Sequence, residues 1–355
     1  MTAQFFFPRL RPVTHLVYGA GLAAALLAAS GCASKPTSEA PVSTSSPSAA
    51  SSVTVPPIKI GLALGGGAAK GFAHIGVIKM LEANGLTPAV VSGTSAGSVV
   101  GALYASGMNA FELQQKAVAL DETQIRDLQL SSGGLLVGQK LEDYVNAQVG
   151  RKPLEQLAKP FVAVATRLED GKRTVFARGN TGQAVRSSSS IPGVFQPVSI
   201  GKYHYVDGGI VSPVPVDAAR ELGADMVIAV DISDKARGTT PSNMLGALNQ
   251  SIAIMGQKLG QAELARADIT IHPKVLDIGA ADFSQRANAI LEGEKAALAA
   301  MPRIKVRIEQ LHNERLQAAQ LAQQKAAQAQ LQECLNQRSR LQKIAGLAGL
   351  SDSCQ

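Results

Sequence analysis

Cysteine and histidine are scarce in this sequence. Only three cysteines and five histidines occur among its 355 residues, and they do not cluster with the spacing of metal ligands. Because a structural zinc site needs about four such side chains close together, the sequence argues against a zinc centre. Nothing else in it indicates a metal or another cofactor.

Strong charge is missing as well. The formal net charge is +7, and aromatic residues make up only 4% of the chain. No run of lysine and arginine is interleaved with aromatic residues, so we expect no nucleic-acid partner. Hydrophobic residues account for 46% of the composition, which is enough for a sizeable core.

Residues 1–31 have the organisation of a secretory signal. Arg9 and Arg11 precede an apolar stretch over residues 16–29, and small residues then lead to Cys32. The apolar stretch is shorter than a comfortable membrane span. The run resembles a bacterial lipoprotein signal in which Cys32 is the lipidated residue. The alternative is an ordinary cleaved signal followed by an unrelated cysteine.

Composition divides the rest of the chain into three parts. After Cys32, residues 32–57 are nearly all Ser, Thr, Ala, Pro and Val, which predicts a flexible tether. Residues 58–300 are predicted to form the folded domain. Residues 301–355 have high helix propensity but a narrow, irregular apolar stripe. We expect a solvated helical extension there, although packing on the domain, on a protein partner or on a membrane stays open.

Two further cysteines, Cys334 and Cys354, lie in this extension. Export would place them in an oxidising compartment, where a disulfide between them is expected.

Short apolar runs alternate with helical patterns along the predicted domain. Strands are predicted at residues 58–64, 89–91, 161–166, 203–206, 226–230 and 269–271, with a hairpin partner at 173–177. Helices are predicted from residue 72 and at residues 98–106, 109–120, 140–149, 184–188, 213–222, 243–266 and 284–300. This alternation implies a mostly parallel central sheet with helices on both faces, a three-layer α/β/α fold.

Residues 93–97 read Gly-Thr-Ser-Ala-Gly and lie between a predicted strand and a predicted helix. Such a turn holds its serine in a strained conformation, and Gly93 and Gly97 remove the side chains that would clash. The free amides of the following helix favour negative charge. Ser95 is therefore a candidate nucleophile, and the Ala96 N–H a candidate oxyanion donor.

A glycine-rich turn follows the first predicted strand. Residues 65–71 read Gly-Gly-Gly-Ala-Ala-Lys-Gly. The P-loop pattern for nucleotide binding does not fit, because it needs Ser or Thr after its lysine and Lys70 is followed by Gly71. The dinucleotide-binding pattern G-x-G-x-x-G does not fit either, because Lys70 stands at the position of its last glycine. Successive N–H groups in such a turn can form a concave anion site. The further candidate oxyanion donors are Gly65, Gly66 and Gly67.

These motifs together resemble the patatin-like phospholipase family, a group of serine lipid acyl hydrolases. The glycine-rich turn matches the family's oxyanion motif, and residues 93–97 match its nucleophile elbow. Residues 207–209, Asp-Gly-Gly, match its third motif, and residues 188–195 resemble the stretch that precedes it. The resemblance covers roughly residues 58–300.

Two positions depart from the family's pattern. Leu64 stands where many members have an acidic residue, and Lys70 stands where arginine is common. Neither change removes a backbone donor.

The resemblance implies a patatin-like fold and a Ser–Asp dyad, in which Ser95 attacks an ester carbonyl and Asp207 accepts its proton. The residues implied to support these motifs are Lys70, Gly71, Gly93, Gly97, Gly208 and Gly209. The implied substrate is an acyl ester of a membrane phospholipid or lysophospholipid, hydrolysed by a carboxylic ester hydrolase without metal or cofactor. Lipidated Cys32 would place the enzyme in the bacterial cell envelope, facing the periplasm. An Asp directly after the lipidated cysteine would favour retention in the inner membrane. This chain has Ala33 there, so the outer membrane is the expected location.

Two alternatives stay open. The order Ser95, Asp231, His272 also suits the triad of an α/β-hydrolase. The chain could instead be a non-catalytic lipid-binding or scaffold lipoprotein that retains the fold, although the intact Ser95 and Asp207 argue against loss of the site. His74 is expected to have a packing role, and His204 to lie on the surface of a strand.

The lipoprotein signal generates a direct test. Cys32→Ser should release the protein from the membrane fraction and abolish labelling by a fatty-acid analogue, because the attached lipid is the anchor. Fractionation and labelling of wild type and variant measure this, with Cys334→Ser as a control that keeps both properties. Unchanged partition and labelling of Cys32→Ser would contradict the assignment.

Overall fold

The computed structural model describes residues 53–345, apart from residue 126, residues 132–133, residue 234 and residues 236–243. The strands within these ranges are β1 (Ile60–Leu64), β2 (Val90–Thr94), β3 (Leu128–Ser131), β4 (Gly134–Leu136), β5 (Phe161–Arg167), β6 (Arg173–Phe176), β7 (Val198–Ile200), β8 (Tyr203–Asp207), β9 (Met226–Val230) and β10 (Ile269–Ile271). The helices are α1 (Phe72–Ala83), α2 (Ala96–Ala105), α3 (Ala110–Ala119), α4 (Gln139–Gln148), α5 (Thr181–Ser188), α6 (Val216–Glu221), α7 (Met244–Leu264) and α8 (Arg286–Ala345).

Eight of these strands form one mixed sheet. Their pairing order is β10-β9-β1-β2-β5-β8-β7, and β6 also pairs with β5. The pairings from β10 through β5 are parallel, whereas β6 and β8 run antiparallel to β5, and β7 runs antiparallel to β8. The predicted mostly parallel sheet is confirmed. The antiparallel β7 and the separate hairpin of β3 and β4 were not predicted.

Helices cover both faces of the sheet, because alternate side chains of a strand point to opposite faces. The side chains of β1 and β9 that join the core with α1, α2 and α8 are Ile60, Leu62, Leu64, Met226, Ile228 and Val230. Those that pack with α6 on the other face are the smaller Ala63, Val227 and Ala229. The three-layer α/β/α arrangement is therefore confirmed.

Helix α8 is longer than the predicted final helix of the domain. It continues through Pro302, and Met301 and Ile304 belong to the buried core. Beyond Leu311 its side chains are mostly exposed. The helical extension of the fold is confirmed, while the predicted domain boundary at residue 300 stays a prediction.

Cys334 lies in α8 and is disulfide-bonded. Its predicted partner Cys354 lies outside the described residues, so the pairing stays a prediction.

None of the helices in the described ranges combines the length and the apolar character that crossing a bilayer would require. Residues 1–31 and Cys32, with the predicted signal and lipidation site, lie outside the described residues.

Helices α1 and α8 approach each other through glycine. A Cβ atom on Gly76 would lie 2.0 Å from the Ile290 carbonyl oxygen, and one on Gly293 would lie 2.0 Å from the Ala73 carbonyl oxygen. Both clashes would be with backbone, which cannot move aside as a flexible side chain can. The first helix after the glycine-rich turn is thus held directly against α8.

From this packing we expect glycine-to-alanine substitutions in α8 and in α7 to have opposite effects on stability. Gly293→Ala should lower the free energy of unfolding by roughly 1–3 kcal/mol, because overpacking outweighs the gain in helix propensity. Gly256→Ala in α7 should raise it by up to about 1 kcal/mol, because the nearest neighbour of its Cβ would be 3.8 Å away. Chemical denaturation of both variants measures the difference, and a stabilised Gly293→Ala protein would contradict the packing argument.

Candidate active site

Ser95 lies in the tight turn between β2 and α2. Its backbone has φ 54° and ψ −125°, a conformation that residues with side chains rarely adopt. A Cβ atom on Gly93 would lie 2.5 Å from the Gly97 carbonyl oxygen, and one on Gly97 would lie 2.1 Å from the Leu64 carbonyl oxygen. The turn therefore has the strained geometry that the sequence motif predicts, and glycine is required on both sides.

The sheet brings Ser95 close to Asp207. Strand β2 ends opposite β5, with Thr94 paired to Val164, and β8 ends with Asp207 paired to Ala165, the next residue of β5. Because β6 pairs with β5 over the same stretch, it must occupy one edge of β5, while β2 and β8 share the other. The carboxyl ends of β2 and β8 thus meet end to end.

Asp207 is held by backbone hydrogen bonds. Its Oδ1 accepts a hydrogen bond from the Gly209 N–H at 2.7 Å, and its own N–H donates to the Ser190 carbonyl at 2.9 Å. A Cβ atom on Gly208 would lie 2.1 Å from the Val164 carbonyl oxygen. The two glycines after the aspartate therefore have distinct tasks: one permits close approach to β5, and the other fixes one carboxylate oxygen.

The second carboxylate oxygen, Oδ2, is buried and has no hydrogen bond of standard geometry to the described residues. Burial raises the pKa of Asp207 to about 6, while the Ser95 hydroxyl and the Gly209 N–H act in the opposite direction. The Ser95 hydroxyl is thus close to the carboxyl without forming a well-aligned hydrogen bond, as is common for catalytic pairs without substrate. A buried carboxyl with this pKa is suited to accept a proton near neutral pH.

The first two glycines of the 65–71 turn use their N–H groups within the protein. The Gly65 N–H donates to the Val230 carbonyl, and the Gly66 N–H donates to the Pro213 carbonyl, both at 3.0 Å. Neither group is available to an oxyanion in this conformation. This corrects the expectation that the amides of all three glycines face a ligand, because the first two are directed at neighbouring strands and loops.

The remaining predicted donors are the N–H groups of Gly67 and Ala96. No acceptor within the described ranges pairs with either group. Ala96 is the first residue of α2, where an N–H has no partner within the helix. The turn itself lies against Ser95, since a Cβ atom on Gly66 would be 3.2 Å from the Ser95 Cβ.

Lys70 and Gly71 are the last two residues of the glycine-rich turn. The Lys70 side chain is fully buried, and a Cβ atom on Gly71 would lie 2.7 Å from the Cβ of Ala96. Gly71 therefore permits the glycine-rich turn to pack on the first residue of α2.

His74 has a more specific contact than the packing role expected from the sequence. Its Nε2 lies 2.9 Å from the Gly65 carbonyl oxygen, and the ring is completely buried. Burial lowers the pKa of His74 to about 4, although the hydrogen bond to Gly65 opposes this shift. The neutral ring therefore donates from Nε2 and fixes the start of the glycine-rich turn.

Ser188 is a site residue that sequence reasoning placed in a motif without assigning a task. Its Oγ accepts a hydrogen bond from the Ser95 N–H at 2.9 Å and donates to the Val164 carbonyl at 2.5 Å. Ser188 thus links the strained turn to β5. The run of four serines at residues 187–190 was visible, but no pattern in it indicates which hydroxyl has this contact.

A cavity of about 520 Å³ opens beside Ser95. Its lining is mostly apolar and comes from the glycine-rich turn, from β4, from α1, α2 and α4, and from three loops, at residues 120–125, 189–195 and 280–283. The apolar lining residues include Phe72, Val99, Val100, Leu141, Ile191, Val194, Phe195 and Phe283. This size and lining fit a hydrocarbon chain. A second cavity of about 360 Å³ lies against α8, between Asp268 and Gln310, and is not lined by Ser95.

The alternative triad is not assembled. His272 Nδ1 lies 3.3 Å from Asp231 Oδ2, and Asp231 Oδ1 also accepts hydrogen bonds from Ser233. Burial acts to raise the pKa of Asp231, but the bonds from His272 and Ser233 outweigh it and lower the pKa. Within the described ranges, no hydrogen bond or ion pair joins either side chain to Ser95, so this pair is separate from the candidate nucleophile.

The other expectations concern His204 and metals. His204 is exposed, and its Nδ1 lies 2.8 Å from Glu169 Oε1. In the part of the chain that the structure describes, no three His, Cys, Asp or Glu side chains are grouped so that they could hold a metal ion.

Solved structures that align with this chain include VipD from Legionella pneumophila and the type III effector protein ExoU. VipD aligns with a TM-score of 0.49 at 16% identity, over 73% of this chain and 67% of that one. ExoU aligns with a TM-score of 0.42 at 16% identity, over 84% of this chain and 67% of that one.

Curated relatives are more similar in sequence. An uncharacterized NTE family protein of Mycobacterium tuberculosis is 38% identical over 183 residues, which is 51% of this chain and 51% of that protein. Human patatin-like phospholipase domain-containing protein 6 is 33% identical over 184 residues, which is 50% of this chain and 13% of that protein. The chain thus spans about half the length of the mycobacterial relative. The family model for patatin-like phospholipases matches residues 62–220, a range that includes the elbow at Ser95 and the Asp207 motif, and this region belongs to the patatin-like phospholipase family.

Proposed function

We propose that this chain is a serine lipid acyl hydrolase that uses Ser95 as nucleophile and Asp207 as base. The observation that carries the proposal is the position of Ser95, in a strained turn beside a buried carboxyl and on the wall of an apolar cavity. Family membership supports lipid ester hydrolysis as the reaction class.

The first half-reaction forms an acyl-enzyme. As the Ser95 hydroxyl oxygen attacks the ester carbonyl carbon, Asp207 Oδ2 takes its proton. The negative charge that develops on the carbonyl oxygen is stabilised by the N–H groups of Gly67 and Ala96, the two predicted donors that pair with no acceptor among the described residues. When the tetrahedral intermediate collapses, the alcohol leaves with the proton from Asp207.

The second half-reaction releases the fatty acid. Asp207 accepts a proton from a water molecule that attacks the acyl carbon, and the proton then returns to the Ser95 oxygen as the acyl group leaves. These steps use only side chains, backbone N–H groups and water. His74 and Ser188 act indirectly, because they fix the glycine-rich turn and the Ser95 backbone.

The cavity supports an assignment of the substrate class. A mostly apolar space beside the nucleophile would hold one acyl chain, with the ester group at Ser95 and the alcohol part toward the opening. We infer a phospholipid or lysophospholipid acyl ester as substrate. With Cys32 lipidated, the enzyme would act on the membrane to which it is anchored, facing the periplasm at the outer membrane, and the C-terminal helix would remain available to a protein partner.

The dyad predicts equal and non-additive losses. Ser95→Ala and Asp207→Asn should each lower the hydrolysis rate of lysophosphatidylcholine by roughly 10³-fold, and the double variant should be no slower, because the two residues act as one unit. Asp170→Asn, a change at an exposed ion pair, is the control that should retain activity. Lipid analysis of the released fatty acids and labelling by a fluorophosphonate measure both the reaction and the nucleophile.

Loss of folding would not explain the loss of activity in Asp207→Asn. Because burial raises the pKa of Asp207 from 3.8 to about 6, the folded state binds its proton more tightly than the unfolded state. The stabilising contribution is present below pH 4 and is lost as pH rises through 6. At pH 8 the neutral asparagine should therefore increase the free energy of unfolding, by up to about 3 kcal/mol. A folded Asp207→Asn enzyme with wild-type turnover would contradict the dyad.

The pH profile gives a second test. The wild-type kcat/KM should rise with pH through about 6 and then level off, because Asp207 must lose its proton before it can act as base. A histidine base would titrate near its usual pKa of about 6.5, so the profile alone does not separate the two mechanisms. His272→Ala separates them: it should keep both the rate and the acidic limb, whereas an inactive, folded His272→Ala enzyme would favour the triad.

A further inference from the structure

The residues that follow the Asp207 motif form a short segment, 212–215, that contacts the strand leading to Ser95. The Thr94 hydroxyl donates to the Ser212 carbonyl at 2.8 Å, and the Ser92 hydroxyl donates to the Pro215 carbonyl at 2.7 Å. Both hydroxyls are completely buried. The last residues of β2 before the nucleophile are therefore joined to this segment by two hydrogen bonds.

The same segment holds the glycine-rich turn and the Asp207 loop. The Gly66 N–H donates to the Pro213 carbonyl at 3.0 Å, and the Ser212 N–H donates to the Gly208 carbonyl at 2.8 Å. The 212–215 segment is thus bonded to all three parts of the candidate site. A shift of this segment would change the distances among the nucleophile, the base and the oxyanion donors together.

One buried carboxylate on α7 holds the segment. Glu263 is only 6% exposed. One of its oxygens accepts a hydrogen bond from the Ser212 hydroxyl, and the other accepts one from the Val214 N–H at 2.8 Å. Both carboxylate oxygens are therefore directed at two alternate residues of the 212–215 segment.

The charge of Glu263 is poorly compensated. Burial raises its pKa to about 7, and Asp217 raises it further, while the two hydrogen bonds and Arg266 act in the opposite direction. Arg266 instead makes its ion pair with Asp217. An acidic side chain in such a place is costly, and a well-packed apolar residue would serve stability better. We therefore assign Glu263 a role in the geometry of the segment, which its two hydrogen bonds fix.

We propose that Glu263 is a positioning residue of the active site: it holds the 212–215 segment, and through it aligns Ser95, Asp207 and the glycine-rich turn. The inference rests on the proposed function for its effect on catalysis. Its effect on the segment itself does not depend on that function. Sequence reasoning did not single out Glu263, because it lies within a long helix with no motif around it.

The test compares three variants of the full-length protein. Glu263→Ala removes both contacts. Glu263→Gln keeps them, because its carbonyl oxygen can accept from the Val214 N–H while its amide donates to the Ser212 oxygen. Glu294→Ala is the matched control, since it removes a half-buried ion pair with Lys79 at 2.7 Å on α8, whose buried side chains pack in a different core cluster from Val214.

For hydrolysis of lysophosphatidylcholine, Glu263→Ala should lower kcat by roughly 10- to 100-fold, the effect expected when reacting groups are misplaced by about an ångström. KM should change little, because no residue of the 212–215 segment lines the acyl cavity. Glu263→Gln and Glu294→Ala should both stay near the wild-type kcat. General loosening of the fold would instead lower the rates of both alanine variants and raise KM.

Amide hydrogen exchange gives a readout that does not depend on activity. In Glu263→Ala, exchange at the Gly66 and Val214 amides should become at least tenfold faster, while Glu263→Gln and Glu294→Ala keep the wild-type rates. Unchanged exchange or unchanged kcat in a folded Glu263→Ala protein would overturn the proposal, as would a Glu263→Gln variant as impaired as Glu263→Ala. A wild type without Ser95-dependent hydrolysis would refute the proposed function instead, and the exchange data would still decide the role of Glu263.

Discussion

The candidate site depends on one constraint, the meeting of two strand ends on a single edge of β5. Strand β2 arrives parallel to β5 and β8 arrives antiparallel, and their last residues pair with Val164 and Ala165. Ser95 and Asp207 must then lie close together, although more than a hundred residues separate them in the chain. A purely parallel sheet would place successive strand ends side by side rather than end to end, so the antiparallel direction of β8 is what brings Asp207 to Ser95.

Close approach of backbones makes this arrangement possible, and glycine supplies it. At Gly97 and Gly208 an added Cβ atom would lie 2.1 Å from a carbonyl oxygen of a neighbouring strand or turn. Such close packing also buries polar side chains, which then need hydrogen-bond partners inside the protein. His74 and Glu263 form hydrogen bonds with backbone groups, whereas one oxygen of Asp207 has no well-formed hydrogen bond among the described residues. That oxygen is the proton acceptor in the mechanism that we propose.

Prediction from sequence succeeded where the physical requirement is local. The turn at Ser95 needs glycine two residues before and after it, so its geometry can be read from the motif alone. The apolar runs of β1 and β9 likewise indicate buried parallel strands. It failed where the answer depends on distant partners. Consecutive glycine amides suggested a shared anion site, but the Gly65 and Gly66 N–H groups are taken by carbonyls of Val230 and Pro213, more than a hundred residues away.

The sequence by itself determined the strand-and-helix alternation, the strained elbow and the aspartate motif, because each follows from side-chain periodicity or from glycine within a few residues. Only the tertiary structure decided that Asp207 rather than His272 lies beside Ser95. It also decided that burial shifts the pKa of Asp207 to about 6, and that Glu263 holds the loop behind both residues. These properties arise from strand pairing and desolvation between segments far apart in the chain, and no local pattern records which segments will meet.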